Sequence, residues 1–307
     1  MYELAIIGGG PAGIAAGVYA SRKQLKTMFI TKDWGGQSTV SSEIQNWIGT
    51  PVLSGQKLAD DLKLHLTTYA GEFVTIKDKI TATKIEKTDS YFTITLSSGE
   101  TFESLAILIA SGSKRRQLSA VGAEQFEHKG LTYCASCDGP LFAGQSVAVV
   151  GGGNAAFETA AQLLAYAKDV TLIQHSTAYK ADPVTIEKLL SHPNMTGLLN
   201  VEVLEIIGNK FVSGLRYLDK KDATEKIMSV TGIFVEIGML PNTDYLAGVV
   251  ELDPYGRVMI DPWTQRTNTS GVWAAGDCTN VRYHQNNIAA GDAVRALEDI
   301  YVTLRAH

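Results

Sequence analysis

Two of the three cysteines in this 307-residue chain, Cys134 and Cys137, stand one helical turn apart in the segment YCASCDGPLF, with Asp138 directly behind the second. A C-x-x-C pair can close into a disulfide and reopen by thiol exchange. Its sulfurs react as thiolates, so the site needs a means of favouring the ionised form. Asp138 is adjacent and ionisable, which makes it a candidate proton donor and acceptor as thiolates form and are quenched. The alternative is that it caps a helix begun by GPLF. A metal site is the rival reading of the cysteines, and it lacks ligands: there is no second C-x-x-C, and His128 is the only histidine near in sequence. Cys278 reads as a small buried residue.

A redox pair needs a source of electrons, and the chain offers two places to hold a nucleotide. YELAIIGGGPAGIAAGVYASRKQ is a short β-type run, a glycine turn and an alanine-rich helix. Gly8, Gly10 and Gly13 supply G-x-G-x-x-G: a tight turn, a close backbone approach to a pyrophosphate, and close helix packing, with the helix N-terminus facing the anion. The construction returns in SVAVVGGGNAAFETAAQLLAYAKDVTLIQ, where a strand over 146–150 leads into Gly151, Gly153, Asn154 and Ala156, a helix, and a further strand ending at Gln174. Two correctly framed copies are far stronger than one.

Each cradle is followed by alternating strands and then by a strand ending in glycine, so the halves repeat one plan. GVWAAGDCTN adds a late strand whose Gly-Asp end can meet a ligand, and NNIAAGDAVRALEDIYVTL reads as a closing helix. The expected fold is α/β: two Rossmann-like, three-layer nucleotide-binding domains, the second inserted into the first. Residues 1–112 with 245–307 form one domain and 113–244 the other, with crossings near SGSKRRQ and GMLPNTDY.

Composition limits the rest. With 45% hydrophobic and 19% charged residues and 29 glycines, the chain has the make-up of an ordered α/β protein. A formal net charge of −5 and no Lys/Arg run beyond Lys114-Arg115-Arg116 argue against non-specific nucleic-acid binding. No apolar run reaches the ~18 to 20 residues of a membrane span, and no basic leader precedes the first strand, so the expected location is the cytoplasm. A small odd number of cysteines there fits thiol chemistry or buried small hydrophobes better than a disulfide framework.

From IIGGGPAG through WGGQ, IQNWIG, ASGS, CASCDGPLF, VVGGGNAAFE and GMLPNT to GVWAAGDCT, the chain resembles the low-molecular-weight thioredoxin reductase group. That group includes the flavoprotein subunit of alkyl hydroperoxide reductase, here without its additional N-terminal domain. The resemblance implies FAD in the first domain, a redox-active disulfide on the second, and a homodimer. It places Gly8, Gly10, Pro11, Ala12 and Gly13 around the FAD pyrophosphate, Gly36, Gln37 and Asn46 beside the flavin and its ribityl chain, Asp277 on the ribityl side, and Gln285 at the pyrimidine edge. Asn286 and Asn287 stand where the group commonly has apolar residues, which makes that edge more polar. By the same resemblance Cys137 is the sulfur nearer the flavin, leaving Cys134 to attack the partner's disulfide. Because flavin and cysteines belong to different domains, the crossings are expected to act as hinges.

The greatest departure follows the second cradle. NADPH-using members carry a histidine and two arginines after the strand, then another arginine, to grip the 2′-phosphate. Here the stretch is QHSTAYK, with Gln174, His175 and Ser176 in the first places and Lys180 in the last. Without bidentate arginines a 2′-phosphate loses its strongest partner. NADPH is disfavoured. NADH stays open, with the Gln174 amide as a ribose partner, and so does ferredoxin or another non-nicotinamide donor. The expected activity is reduction of a thioredoxin- or glutaredoxin-like protein, which can feed a peroxiredoxin; the alternatives are a flavin oxidase that reduces oxygen and a redox-regulated binding protein.

Overall fold

The computed structural model describes residues 1–41 and 43–305, with the side chain of Cys137 outside the described residues. The chain opens on β1 (Tyr2–Ile7), whose last four positions are all buried, as an interior parallel strand requires. It turns through the glycines into α1 (Pro11–Arg22), with Pro11 in the first turn, where its missing N–H breaks no helical bond. β2 (Thr27–Thr31), α2 (Gly55–Ala70) and β3 (Val74–Asp78) follow. Ser54 Oγ caps α2 by accepting from the Lys57 N–H at 3.1 Å. β4 (Ala82–Lys87), β5 (Phe92–Leu96) and β6 (Thr101–Ile109) form an antiparallel meander.

The chain crosses out through β7 (Ser113–Arg115) to β8 (Leu131–Thr132) and the short helix α3 (Ala135–Asp138). Then come β9 (Ser146–Val150), α4 (Asn154–Leu163), β10 (Asp169–Gln174), α5 (Pro183–Leu190) and β11 (Met195–Leu199). A second meander, β12 (Val201–Gly208), β13 (Val212–Asp219) and β14 (Thr224–Met228), precedes β15 (Gly232–Val235). The return crossing is β16 (Met239–Pro241), paired with β7 in a two-stranded ribbon. β17 (Val272–Ala274) and α6 (Asn286–Arg305) finish the chain.

Two units result: Met1–Lys114 with Leu240–His307, and Arg115–Met239. Residues 113, 114 and 240–244 therefore go with the first unit, not with the second as the sequence pattern placed them. The reason is local bonding. Asn242 Nδ2 donates to the Ser111 carbonyl at 2.9 Å, Ser111 Oγ donates to the Asn242 carbonyl at 2.7 Å, and Thr243 Oγ1 donates to the Gly256 carbonyl at 2.6 Å.

In the first unit the sheet order is β3-β2-β1-β6-β5-β4, with β17 also paired to β6. Alternation along β1 sends Leu4 and Ile6 to the face covered by α1, α2 and α6, and Ala5 and Ile7 to the opposite face with Ile94, Leu246 and Cys278. The second unit has a parallel sheet ordered β11-β10-β9-β15-β8 and a separate three-stranded sheet β12-β13-β14. Val147 and Val149 pack with Phe157 and Leu163 of α4; Ala148 and Val150 pack with Ile206 and Leu215 of the meander. Helix layer, parallel sheet and meander are the three layers expected. The two meanders differ, however: the first extends its parallel sheet and the second does not. Among the described residues no helix is long and apolar enough to cross a membrane.

Candidate active site

The first cradle is shaped by what its glycines exclude. A Cβ on Gly8, which has φ +128°, would lie 2.0 Å from the Ala110 carbonyl oxygen, and one on Gly13 would lie 1.8 Å from the Gly8 carbonyl oxygen. These two hold strand, turn and helix together. Gly10 differs: the nearest atom to its Cβ would be Gly36 Cα at 3.9 Å. It borders open space. Gly10 is also the N-cap of α1 and makes no side-chain cap bond, which leaves the first amides of a twelve-residue helix directed at a ligand.

The space they face is a cleft of about 1190 Å³. That exceeds the ~300 to 1,000 Å³ of ordinary small-molecule pockets and suits a dinucleotide. Gly8, Gly10, Pro11, Ala12, Gly36, Gln37, Asp277 and Asn286 all line it. Trp34 lines it too, stacked on Phe29 at 5.7 Å between centroids, and its indole N–H is buried with no partner among the described residues. A buried donor left unpaired costs about 1 to 3 kcal/mol unless a ligand accepts from it. A glycine-walled cleft of this volume with an orphaned donor fits FAD.

Asn46 and Gln285 do not line the cleft; they bond each other, Asn46 Nδ2 donating to Gln285 Oε1 at 3.2 Å. Asn287 Nδ2 donates to the Asn46 carbonyl at 2.8 Å, and Ser38 Oγ donates to Asn286 Oδ1 at 3.1 Å. The two asparagines that depart from the resemblance thus fasten the 36–48 segment to the start of α6. Asp277 has the His284 ring beside it, Nδ1 to Oδ1 3.4 Å.

In the second unit the redox segment is a compact turn. Cys134 is the N-cap of α3, half-buried and engaged in a disulfide. Its N–H donates to Thr132 Oγ1 at 3.3 Å, and the Thr132 hydroxyl donates in turn to the Asp138 carboxylate. Asp138 does not cap the following 3-10 turn (Gly139–Phe142): it occupies the N-cap position but makes no side-chain cap bond. Its carboxylate is turned back toward the cysteine-bearing turn instead. The Cys137 side chain, and the part assigned to it above, lie outside the described residues. Cys278 is fully buried with a free thiol pushed up to about 11 by burial, so it stays protonated at neutral pH.

The second cradle repeats the first. Gly151 (φ +149°) would place a Cβ 2.2 Å from the Glu236 carbonyl oxygen, whereas a Cβ on Gly153, the N-cap of α4, would have nothing within 4 Å among the described residues. Ala156 is fully buried behind the turn. Asn154 Oδ1 accepts from the Asp182 N–H at 2.9 Å. Gln174 turns inward: its Nε2 donates to the Ala178 carbonyl at 3.3 Å, its Oε1 accepts from the His175 N–H at 3.1 Å, and a Cβ on Gly152 would lie 2.4 Å from its amide carbon. Both ends of the amide are engaged by backbone.

Sequence reasoning passed over Asp33 and Trp34, which also line the first cleft. An acid about 20 residues beyond the glycine turn is the usual ribose partner in this motif, and Asp33 stands at that distance. The signal was present.

Two glycine-framed βα turns thus stand in one chain, the first beside a large cleft, with a cysteine turn built into the second unit. The fold is that of a two-domain dinucleotide-binding protein. The chain belongs to the pyridine nucleotide-disulphide oxidoreductase family, whose profile matches residues 2–293. It is 40% identical over 299 residues to a component of the alkyl hydroperoxide reductase of Escherichia coli (strain K12), covering 96% of this chain and 57% of that protein. It is 36% identical over 295 residues to NADH dehydrogenase of Bacillus subtilis (strain 168), with coverage of 96% and 57%. The chain therefore spans 57% of the length of these two relatives. Among solved structures it resembles thioredoxin reductase from Streptococcus pyogenes MGAS5005, with TM-score 0.89, 30% identity, and 100% of this chain and 99% of that one covered. Thioredoxin reductase from Giardia duodenalis gives TM-score 0.91 at 28% identity with the same coverage.

Proposed function

We propose that the chain reduces a disulfide in a thioredoxin- or glutaredoxin-like protein, or one serving a peroxiredoxin, through Cys134 and Cys137, with NADH as electron donor. The observation that carries this reading is the turn in which one threonine hydroxyl holds both the Cys134 amide and the Asp138 carboxylate. A structural disulfide needs no acid fixed beside it; an exchanging one does.

Cys134 is in a disulfide, and the resemblance of CASCDGPLF to the thioredoxin reductase group implies Cys137 as its redox partner. The residues that would hold FAD are Gly10, Pro11 and Ala12, with Asp33 toward its ribose and Gly36, Gln37, Asp277 and Asn286 toward its other end; so bound, it would supply the electron pair that opens this disulfide. Asp138 takes or gives the proton as each thiol ionises or is quenched. The half-buried Cys134 thiolate attacks the partner's disulfide and forms a mixed disulfide. Cys137 then displaces the partner as a dithiol and restores the Cys134–Cys137 bond, so the electron pair passes wholly to the partner. The cysteines have to meet flavin and partner in turn, and we assign that swing to the crossings β7 and β16. A homodimer in the cytoplasm completes the proposal.

The choice of NADH rests on the loop after β10. Lys180 is the only Lys or Arg in residues 174–182, so nothing there offers the guanidinium fork that a 2′-phosphate prefers. The closed Gln174 amide supports a second reading, in which electrons come from ferredoxin or another non-nicotinamide donor. Anaerobic mixing of the FAD-loaded protein with NADH and with NADPH separates these. Bleaching of the flavin by NADH at concentrations where NADPH is ineffective is expected; equal bleaching by NADPH overturns the donor assignment, and no bleaching by either favours the second reading.

A further inference from the structure

In the parallel sheet of the second unit, β9 leads to β10 and β11 on one side, while β15 lies on the other. Chain order reverses between β9 and β15, and a doubly wound sheet binds its ligand in the crevice beyond the carboxyl ends of the strands at that point. Gly151 follows β9 and Glu236 follows β15. Their backbones are in contact: the Glu236 N–H donates to the Val150 carbonyl at 2.7 Å. The glycine-cradle half of such a fold takes the adenosine side of a dinucleotide, which leaves the β15 side to its nicotinamide.

We propose that Glu236 is a charge-matching residue of the donor crevice, a neutral acid beside the reduced nicotinamide and a carboxylate beside the oxidised one. The proposal rests on the NADH reading above. Glu236 Oε1 accepts from Thr159 Oγ1 of α4 at 2.9 Å. The charged groups acting on it are Glu158 of α4, which disfavours ionisation, and Arg115 of β7, which favours it. Burial outweighs the threonine bond and the arginine and pushes the carboxyl up to about 7. A carboxyl so placed changes charge when a neighbouring charge changes.

Hydride transfer supplies that change. The nicotinamide ring is neutral before it gives up a hydride and carries one positive charge after. The electron pair and hydrogen go to the flavin. A cation in the crevice favours the carboxylate, so Glu236 loses its proton to solvent and one negative charge appears beside the new positive one. Charge in the crevice is conserved.

The test is NAD⁺ binding to the FAD-loaded protein between about pH 6 and pH 8, with proton release followed by an indicator dye. Wild type is expected to bind NAD⁺ up to about ten-fold more tightly at the upper pH, and to release protons on binding near pH 7. Glu236→Gln, which keeps the shape and the Thr159 bond but cannot ionise, is expected to show neither effect. A pH-independent wild type, or a Gln variant that keeps the dependence and the proton release, overturns the assignment while leaving NADH as donor. Failure of NADH and NAD⁺ to bind wild type across the range removes the donor reading, and this inference with it.

Discussion

Thr132 and Asp138 are tied by a hydrogen bond that spans the cysteine turn, the Thr132 hydroxyl donating to the Asp138 carboxylate while its oxygen accepts from the Cys134 N–H. The acid is thereby fixed relative to the Cys134 backbone.

Asp138→Asn keeps the shape of the side chain and removes its proton chemistry. A general acid or base of this kind contributes about 10²-fold or more, so protein-disulfide reduction by the variant is expected to fall by at least that factor. Thr132→Val breaks both bonds and is expected to lose about ten-fold in the same assay and about 1 kcal/mol of stability. Steady-state assays with a thioredoxin-type substrate check both; Asp138→Asn within two-fold of wild type would contradict the role of the acid.

Gly8 and Gly10 separate folding from binding. Gly8→Ala meets a backbone carbonyl at 2.0 Å in a left-handed conformation and is expected to cost more than about 2 kcal/mol. Gly10→Ala meets nothing closer than 3.9 Å, so the chain should fold, but the added methyl enters the path of the pyrophosphate. Flavin content and thermal unfolding of the purified variants check this: Gly10→Ala should be pale and folded.

Cys278 is expected to be chemically silent. With its thiol at about 11, only about one part in 10³ is thiolate at pH 8. After reduction, brief alkylation at that pH should label Cys134 and Cys137 but not Cys278, as read by peptide mass mapping. Cys278→Ala should keep disulfide reductase activity.

Glu236 also makes stability depend on pH. Its folded-state value of about 7 lies above the ordinary 4.5, so between these values the folded chain holds more protons than the unfolded one and stability falls as pH rises, levelling above about 7. Discounted for partial exposure, the loss is about 1 to 3 kcal/mol. Glu236→Gln should therefore match wild type near pH 4.5 and exceed it by about that amount at pH 8 in chemical denaturation.

What the sequence disclosed follows from which forces are local. Both cradles were legible because glycine spacing is fixed by backbone contacts within one βα unit, such as Gly13 against Gly8. The contrast between the meanders was less so. β6 is nine residues long, exposed and alternating in its first half and continuously buried in its second, so it pairs with β5 at one end and with β1 and β17 at the other. β15 has four residues, all buried, and no length to spare for a meander. The inward turn of Gln174 depends on the bare Cα of Gly152, a contact between two elements that no periodicity reports. Asp33 was readable and was passed over; the unpaired Trp34 N–H was not, because only the assembled cleft buries it.

The central claim is that an electron pair passes from flavin to the Cys134–Cys137 disulfide. Anaerobic reductive titration of the FAD-loaded chain tests it most directly. Wild type is expected to accept about four electrons per chain and Cys134→Ser about two, since a disulfide is a two-electron couple and flavin another. Equal uptake of about two electrons by both proteins would contradict the account.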